Sequence, residues 1–247
     1  MEVIYPLCAG LDVHKKTVVA CVRRAQAAQI EQKVRSFPTT TPGLLRLRDW
    51  LEQEQCTHVA MESTGVYWKP VWHVLEGGFE LVLGNAHHMR NVPGRKTDVN
   101  DAMWIADLLA HGLIRPSFVP SPAVQRLRDL TRTRTQLLRE LSRHTQRLSK
   151  VLEDANIKLS DVVSDLLGGT GRAVLRALMA GPVSESELLE LRHPRLKASP
   201  EEFLQALRGR VGAHHRFLLR LHWGQIESLE SALGELEKQL EEQMRPF

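Results

Sequence analysis

Asp98 and Asp101 stand one helical turn apart at the head of residues 96–109, so on a helix both carboxylates point to one side. Ala102, Ile105, Leu108 and Leu109 give that stretch one apolar face, which predicts a helix. Two carboxylates this close repel each other unless a positive charge lies between them. A divalent cation supplies it, because hard cations take carboxylate oxygens. The same residues also read as a plain helix start, with Thr97 or Asp98 as the cap and Asp101 favoured in the first turn by the macrodipole. Two more acids bear on the choice. Asp12 lies in the apolar run 7–13, between Leu11 and Val13, where an unpaired charge is costly. Pairing with Lys15 or Lys16, or a solvent-facing register, would equally account for it. Glu62 ends the short apolar run 57–62.

The elements around these acids alternate. Residues 7–24 read as a β-hairpin turning at His14-Lys15-Lys16, and a third strand follows near 30–37. Pro42 opens a helix to about Glu54, with Leu44, Leu45, Leu47, Trp50 and Leu51 on its face. The strand 57–62 leads through Ser63-Thr64-Gly65, a turn able to cap a helix over 66–76 that carries Tyr67, Trp68 and Trp72. This aromatic cluster reads as core before it reads as a base-stacking platform. A strand at 79–83 precedes the basic stretch 85–97, which holds His87, His88, Arg90, Arg95 and Lys96. Such alternation implies a mixed sheet whose later strands are parallel, with sites gathered at strand ends.

From Ser121 the texture changes. Leu127, Leu130, Leu137, Leu141, Leu148, Val151 and Ala155 form a heptad-like seam on one long helix reaching about Leu159, interrupted by Arg134 and His144. Arg126, Arg128, Arg132, Arg139, Arg143, Arg147 and Lys150 make that helix basic, either as a solvated coiled-coil surface or as a ridge that tracks phosphates. Gly168-Gly169-Thr170-Gly171 lacks a preceding strand and a following Gly-Lys-Ser/Thr, and reads as a helix-breaking turn. Short helices follow at 172–179, 184–191 and 200–207. The helix 213–244 has a second seam, from Ile226 through Leu229, Leu233, Leu236 and Leu240 to Met244, and an acidic outer face. It suits an antiparallel pairing with the basic helix, within the chain or between two chains.

The chain has 247 residues, 43% of them hydrophobic, which allows one large or two small domains and excludes global disorder. A net charge of +4 permits a nucleic-acid partner without demanding one. Cys8, Cys21 and Cys56 are widely spaced with no CxxC pair, which argues for reduced thiols over a disulfide framework or a zinc site. No apolar run approaches the ~18 residues of a membrane span, and the expectation is a cytoplasmic protein without a membrane partner.

Gly10-Leu11-Asp12-Val13-His14-Lys15, Met61-Glu62-Ser63-Thr64-Gly65 with Tyr67-Trp68, Lys96-Thr97-Asp98-Val99-Asn100-Asp101-Ala102 and the stretch 112–120 resemble the motifs of the insertion sequence 110 family of transposases, relatives of the Piv-type DNA invertases. The resemblance implies an α/β fold, a RuvC-like domain of the RNase H type over residues 1–118, followed by a helical coiled-coil region over 119–247 for RNA contact and dimerisation. It implies that Asp12, Glu62, Asp98 and Asp101 are catalytic and hold Mg2+ or Mn2+. It further implies DNA and a structured guide (bridge) RNA as partners, and a homodimer or higher homo-oligomer. Candidate nucleic-acid contacts are Lys15, Lys16, Arg90, Arg95, Lys96, Arg126, Arg132, Arg139, Arg143 and Arg147. The sequence departs from the family in one respect. The family's C-terminal domain, with a catalytic serine and a Pro-Gly-x-Gly hairpin, has no match here, and Ser228 and Ser231 are poor substitutes, so this chain alone is expected to be inactive. Three rivals use the same residues: an RNA-binding and dimerisation module with structural acids, a metal-dependent junction nuclease, and a sugar-kinase-like ATPase. The last needs a glycine-rich turn where His14-Lys15-Lys16 stand.

Overall fold

The structure is a computed structural model that describes residues 2–26, 29–63, 65–92 and 101–245, and the side chains of all of these except Arg90. Two compact units emerge, Met1–Val119 and Pro120–Phe247.

In the first unit, β1 (Leu7–Val13), β2 (Thr17–Gln26) and β3 (Gln29–Pro38) form an antiparallel meander. The chain then crosses through α1 (Thr41–Gln53) to β4 (His58–Glu62), and through α2 (Trp68–Leu75) to β5 (Glu80–Gly84). Both crossovers return parallel, β4 beside β1 and β5 beside β4, giving the order β3-β2-β1-β4-β5. A helix between two strands of one sheet imposes that direction. A mixed five-stranded sheet in this order, with helices on its faces, is the RuvC-like α/β arrangement of the RNase H fold.

Strand alternation sorts the side chains. Ala9, Leu11, Val13, Val59 and Met61 face a core shared with Leu44, Leu47, Trp50 and Leu51 of α1 and with Val71 and Leu75 of α2. Cys8 and Ala60 face the other way, onto Ile105, Leu108 and Leu109 of a further helix (Asp101–Ala110). A single turn, α3 (Ala86–Arg90), precedes that helix, which is α4, and Met89 of α3 accepts a 3.2 Å hydrogen bond from Trp104 Nε1. The turn after β4 does not cap α2 as expected. Tyr67 holds the N-cap position, without a side-chain cap bond.

The second unit is helical. The long helix α5 (Pro122–Asp154) ends short of 159, because Asn156 takes the left-handed conformation at φ 57° and Ile157 N–H turns back to Leu152 O. After α6 (Leu159–Val162), the glycine stretch opens α7 (Gly169–Ala180) and does not merely interrupt a helix. The short α8 (Glu185–Glu190) and α9 (Pro200–Ala206) each begin with a capping box, from Ser184 with Glu187 and Ser199 with Glu202. The last helix, α10 (Ala213–Met244), lies antiparallel to α5 within the chain. The two seam interruptions have partners across that pairing. Arg134 donates to Glu237 at 2.9 and 3.1 Å, and His144 Nδ1 lies 3.3 Å from His222 Nδ1. Leu148, Leu152, Leu219 and Ile226 bury the broad end of this hairpin against Val174, Leu175 and Phe203.

Candidate metal and nucleic-acid site

The path of α4 brings Asp101 to the sheet end that carries Asp12 and Glu62. Ile4 N–H and Tyr5 N–H donate to Ala110 O at 2.8 and 3.1 Å. Cys8 Sγ donates to Ala106 O at 3.5 Å, and Gly10 lies directly under the backbone of Ala102 and Ala106. Moving forward along β1 therefore means moving backward along α4, so Asp101 at the head of the helix arrives where Asp12 stands. The parallel register of β4 ends at Leu11 beside Met61, which puts Glu62 next to Asp12 one step further on. Period-two alternation turns Cys8, Gly10 and Asp12, like Ala60 and Glu62, to the face that α4 covers. Asp12, Glu62 and Asp101 thus share one end and one face of the sheet.

Gly10 is what allows the approach. A Cβ there would lie 2.9 Å from Ala106 Cα and closer still to two other α4 backbone atoms, so only glycine lets the helix lie this near the strand.

The Asp12 side chain is 19% exposed, and His14 Nε2 reaches its Oδ2 at 3.0 Å. That partner is neither lysine of the turn. Burial pushes the Asp12 carboxyl above its ordinary range. The charge and hydrogen bond of His14 oppose the rise, and the charges of Asp101 and Glu62 add to it. Asp101 and Glu62 therefore lie near enough for their charges to act on the Asp12 carboxyl. Asp98 lies outside the described residues. Among the described residues, no three His, Cys, Asp or Glu side chains come close enough together to hold a metal ion. The donor set is nonetheless hard oxygen throughout, the type that Mg2+ and Mn2+ take.

Of the basic positions, Lys15 and Lys16 are exposed on the turn beside Asp12, pinned by Thr39 N–H to Lys16 O at 3.1 Å and Thr39 Oγ1 to Lys15 O at 2.8 Å. Arg95, Lys96 and the side chain of Arg90 lie outside the described residues. In the second unit, Arg126 donates to Gln243 at 3.2 Å, Arg132 is 4.0 Å from Asp129, and Arg139, Arg143 and Arg147 are exposed. His87 and His88 are exposed as well.

Sequence reasoning missed Arg23. It faces α4 from β2, opposite Cys8, and is only 1% exposed. Its Nε donates to Asp107 Oδ1 at 2.8 Å, and its buried Nη1 has no hydrogen-bond partner among the described residues. The available signal was alternation along β2, which puts Val19, Cys21 and Arg23 on one face.

Among the described residues, no helix is long and apolar enough to cross a membrane. No curated protein matches the chain. One solved structure, a complex of Fowlpox virus resolvase with substrate Holliday junction DNA, aligns at 11% identity over 37% of this chain and 65% of that one. Its TM-score of 0.28 is too low to bear on fold or function. A sequence model for Asp-Glu-Asp-Asp transposases of the insertion sequence 110 type, described as transposase, matches residues 9–157. That match takes in more than half of the chain, the strand of Asp12, the end of β4 and all of α4 and α5, and the chain belongs to this transposase family.

Proposed function

We propose that Asp12, Glu62 and Asp101, with Asp98, hold divalent Mg2+ or Mn2+ for phosphodiester cleavage and strand exchange on DNA. The observation that carries this reading is the convergence of the first three at one end and one face of the sheet, where the Asp12 carboxyl, raised chiefly by burial, also feels the charges of Asp101 and Glu62. Carboxylates gathered at one place supply the hard oxygen donors that a divalent cation takes. When bound, the metal would polarise the scissile phosphate and stabilise the attacking and leaving oxygens. The chain's own residues prepare that surface. Gly10 admits α4, β1 and β4 set two acids side by side, and His14 partners Asp12. Lys15 and Lys16 offer the strand's phosphates a cationic rim at the same sheet end. The helical unit supplies a further basic ridge, from Arg126 to Arg147, for a structured guide RNA, and contacts for a homo-oligomer.

Mn2+ binding read by electron paramagnetic resonance tests the site. Asp12→Asn and Glu62→Gln should each weaken it at least tenfold. Unchanged affinity in both variants would make the acids structural. Filter retention of a folded RNA carried on the same genetic element, at two salt concentrations and with unrelated RNA as competitor, tests the ridge. Binding no better than the competitor's and falling steeply with salt would reduce it to general phosphate attraction.

A further inference from the structure

The aromatic cluster after β4 divides in two. Trp68 and Trp72 pack against the core of the first unit, edge to face at 5.9 Å. Tyr67 stays outside, 40% exposed, and its neighbour Val66 is 63% exposed. Both stand on a tight turn. Gly65 adopts φ +56°, a left-handed backbone that other residues resist, and Tyr67 is the N-cap of α2. The turn leaves the sheet a few residues after Glu62, whose successor Ser63 is tied by its N–H to Gly84 O at 2.9 Å. Tyr67 is thus partly exposed near the sheet end where β1 and β4 finish, the end that carries Asp12, Glu62 and the exposed Lys15 and Lys16. A tyrosine ring left 40% exposed gains only part of the stabilisation that full burial would give. It is well suited to stack on a flat aromatic ligand whose backbone is anionic.

We infer that Tyr67, backed by Val66, is a stacking platform for an unpaired DNA base beside the carboxylate site, and that it fixes which nucleotide lies next to the reacting phosphate. Lysines hold the backbone and the ring holds the base, the division of labour used to grip single strands. The inference rests on the reading of this sheet end as a nucleic-acid site.

The test uses the full chain and a mixed-sequence single-stranded DNA carrying 5-iodouracil. Irradiation should cross-link the wild-type chain at Tyr67, and a fully paired duplex of the same sequence should not. Tyr67→Phe should bind as the wild type does. Tyr67→Leu, which keeps apolar bulk without the ring face, and Tyr67→Ala should both bind roughly ten- to a hundredfold more weakly. Circular dichroism checks that the variants fold, and the wild-type cross-link stands whether or not they do. If the wild-type chain binds the strand while Tyr67→Leu binds equally and the cross-link maps elsewhere, the platform is overturned alone. If the wild-type chain does not bind the strand at low salt, the reading of the site falls with it.

Discussion

Replacing Gly10 by alanine should loosen the whole site from its centre. The new Cβ would stand 2.9 Å from Ala106 Cα and still closer to Ala102 O and Ala106 N, where ordinary contact is 3.4–4 Å. All three obstacles are backbone, so no side chain can rotate away. In a close-packed interior, α4 must move off β1 by roughly an ångström. Overpacking of this kind costs ~1–3 kcal/mol. With an unfolding entropy of about 2.1 cal/mol/K per residue, a unit of roughly 120 residues should melt ~4–12 °C lower. Because the displaced helix begins at Asp101, Mn2+ affinity should fall together with the melting temperature. Differential scanning calorimetry of the full chain with and without MnCl2 reads both effects. Gly224→Ala is the control of opposite sign. Nothing lies within 4 Å of its Cβ position on α10, so it should stabilise by ~0.5–1 kcal/mol. Melting of Gly10→Ala within about 1 °C of the wild type, with unchanged Mn2+ affinity, would refute the close approach of α4 and the argument built on it.

Asp107→Ala should leave the Arg23 guanidinium buried and without its carboxylate partner. Breaking a buried pair costs ~3–5 kcal/mol, and the partial exposure of Asp107 reduces this to ~1–3. Adding Arg23→Met should recover much of the loss in urea titrations, and no recovery would mean that the arginine itself packs the core. Asp12 has a folded-state pKa above its unfolded value, so the native chain binds the extra proton and stability declines as pH rises from the ordinary Asp range through the raised one. In metal-free buffer at pH 7, Asp12→Asn should therefore melt no lower than the wild type, while only the wild type gains from Mg2+; a lower melt without metal would reverse the sign. Burial pushes Cys8 and Cys56 up to about 12 and Cys21 up to about 11. A thiol-disulfide dye at pH 8 should find none of the three in the native chain and all three in guanidinium; rapid native labelling would contradict their burial.

Local signals in the sequence were sufficient for the main elements, though not for the short turns α3 and α6 or for the exact ends of α5 and α7. Apolar alternation around Asp12 and the turn at His14-Lys15-Lys16 foretold β1 and β2. The three-four spacing from Leu127 to Val151 foretold α5. The motif at Asp12, Glu62 and Asp101 carried the family assignment on residue types alone. Each of these depends on neighbours within a turn or a pleat, where the backbone period translates order into face. What covers a face depends on residues far along the chain, and alternation is silent about that. Only the folded chain puts β1 between β2 and β4 and runs α4 back over Gly10, which brings Asp101 to Asp12 across about ninety residues. The same long-range packing buries Arg23 against Asp107, leaves Tyr67 outside while its tryptophan neighbours go in, and pairs the acidic helix with the basic one inside a single chain. Residue type and spacing thus determined the chemistry available to this protein, and non-local packing decided which groups stand close enough to use it.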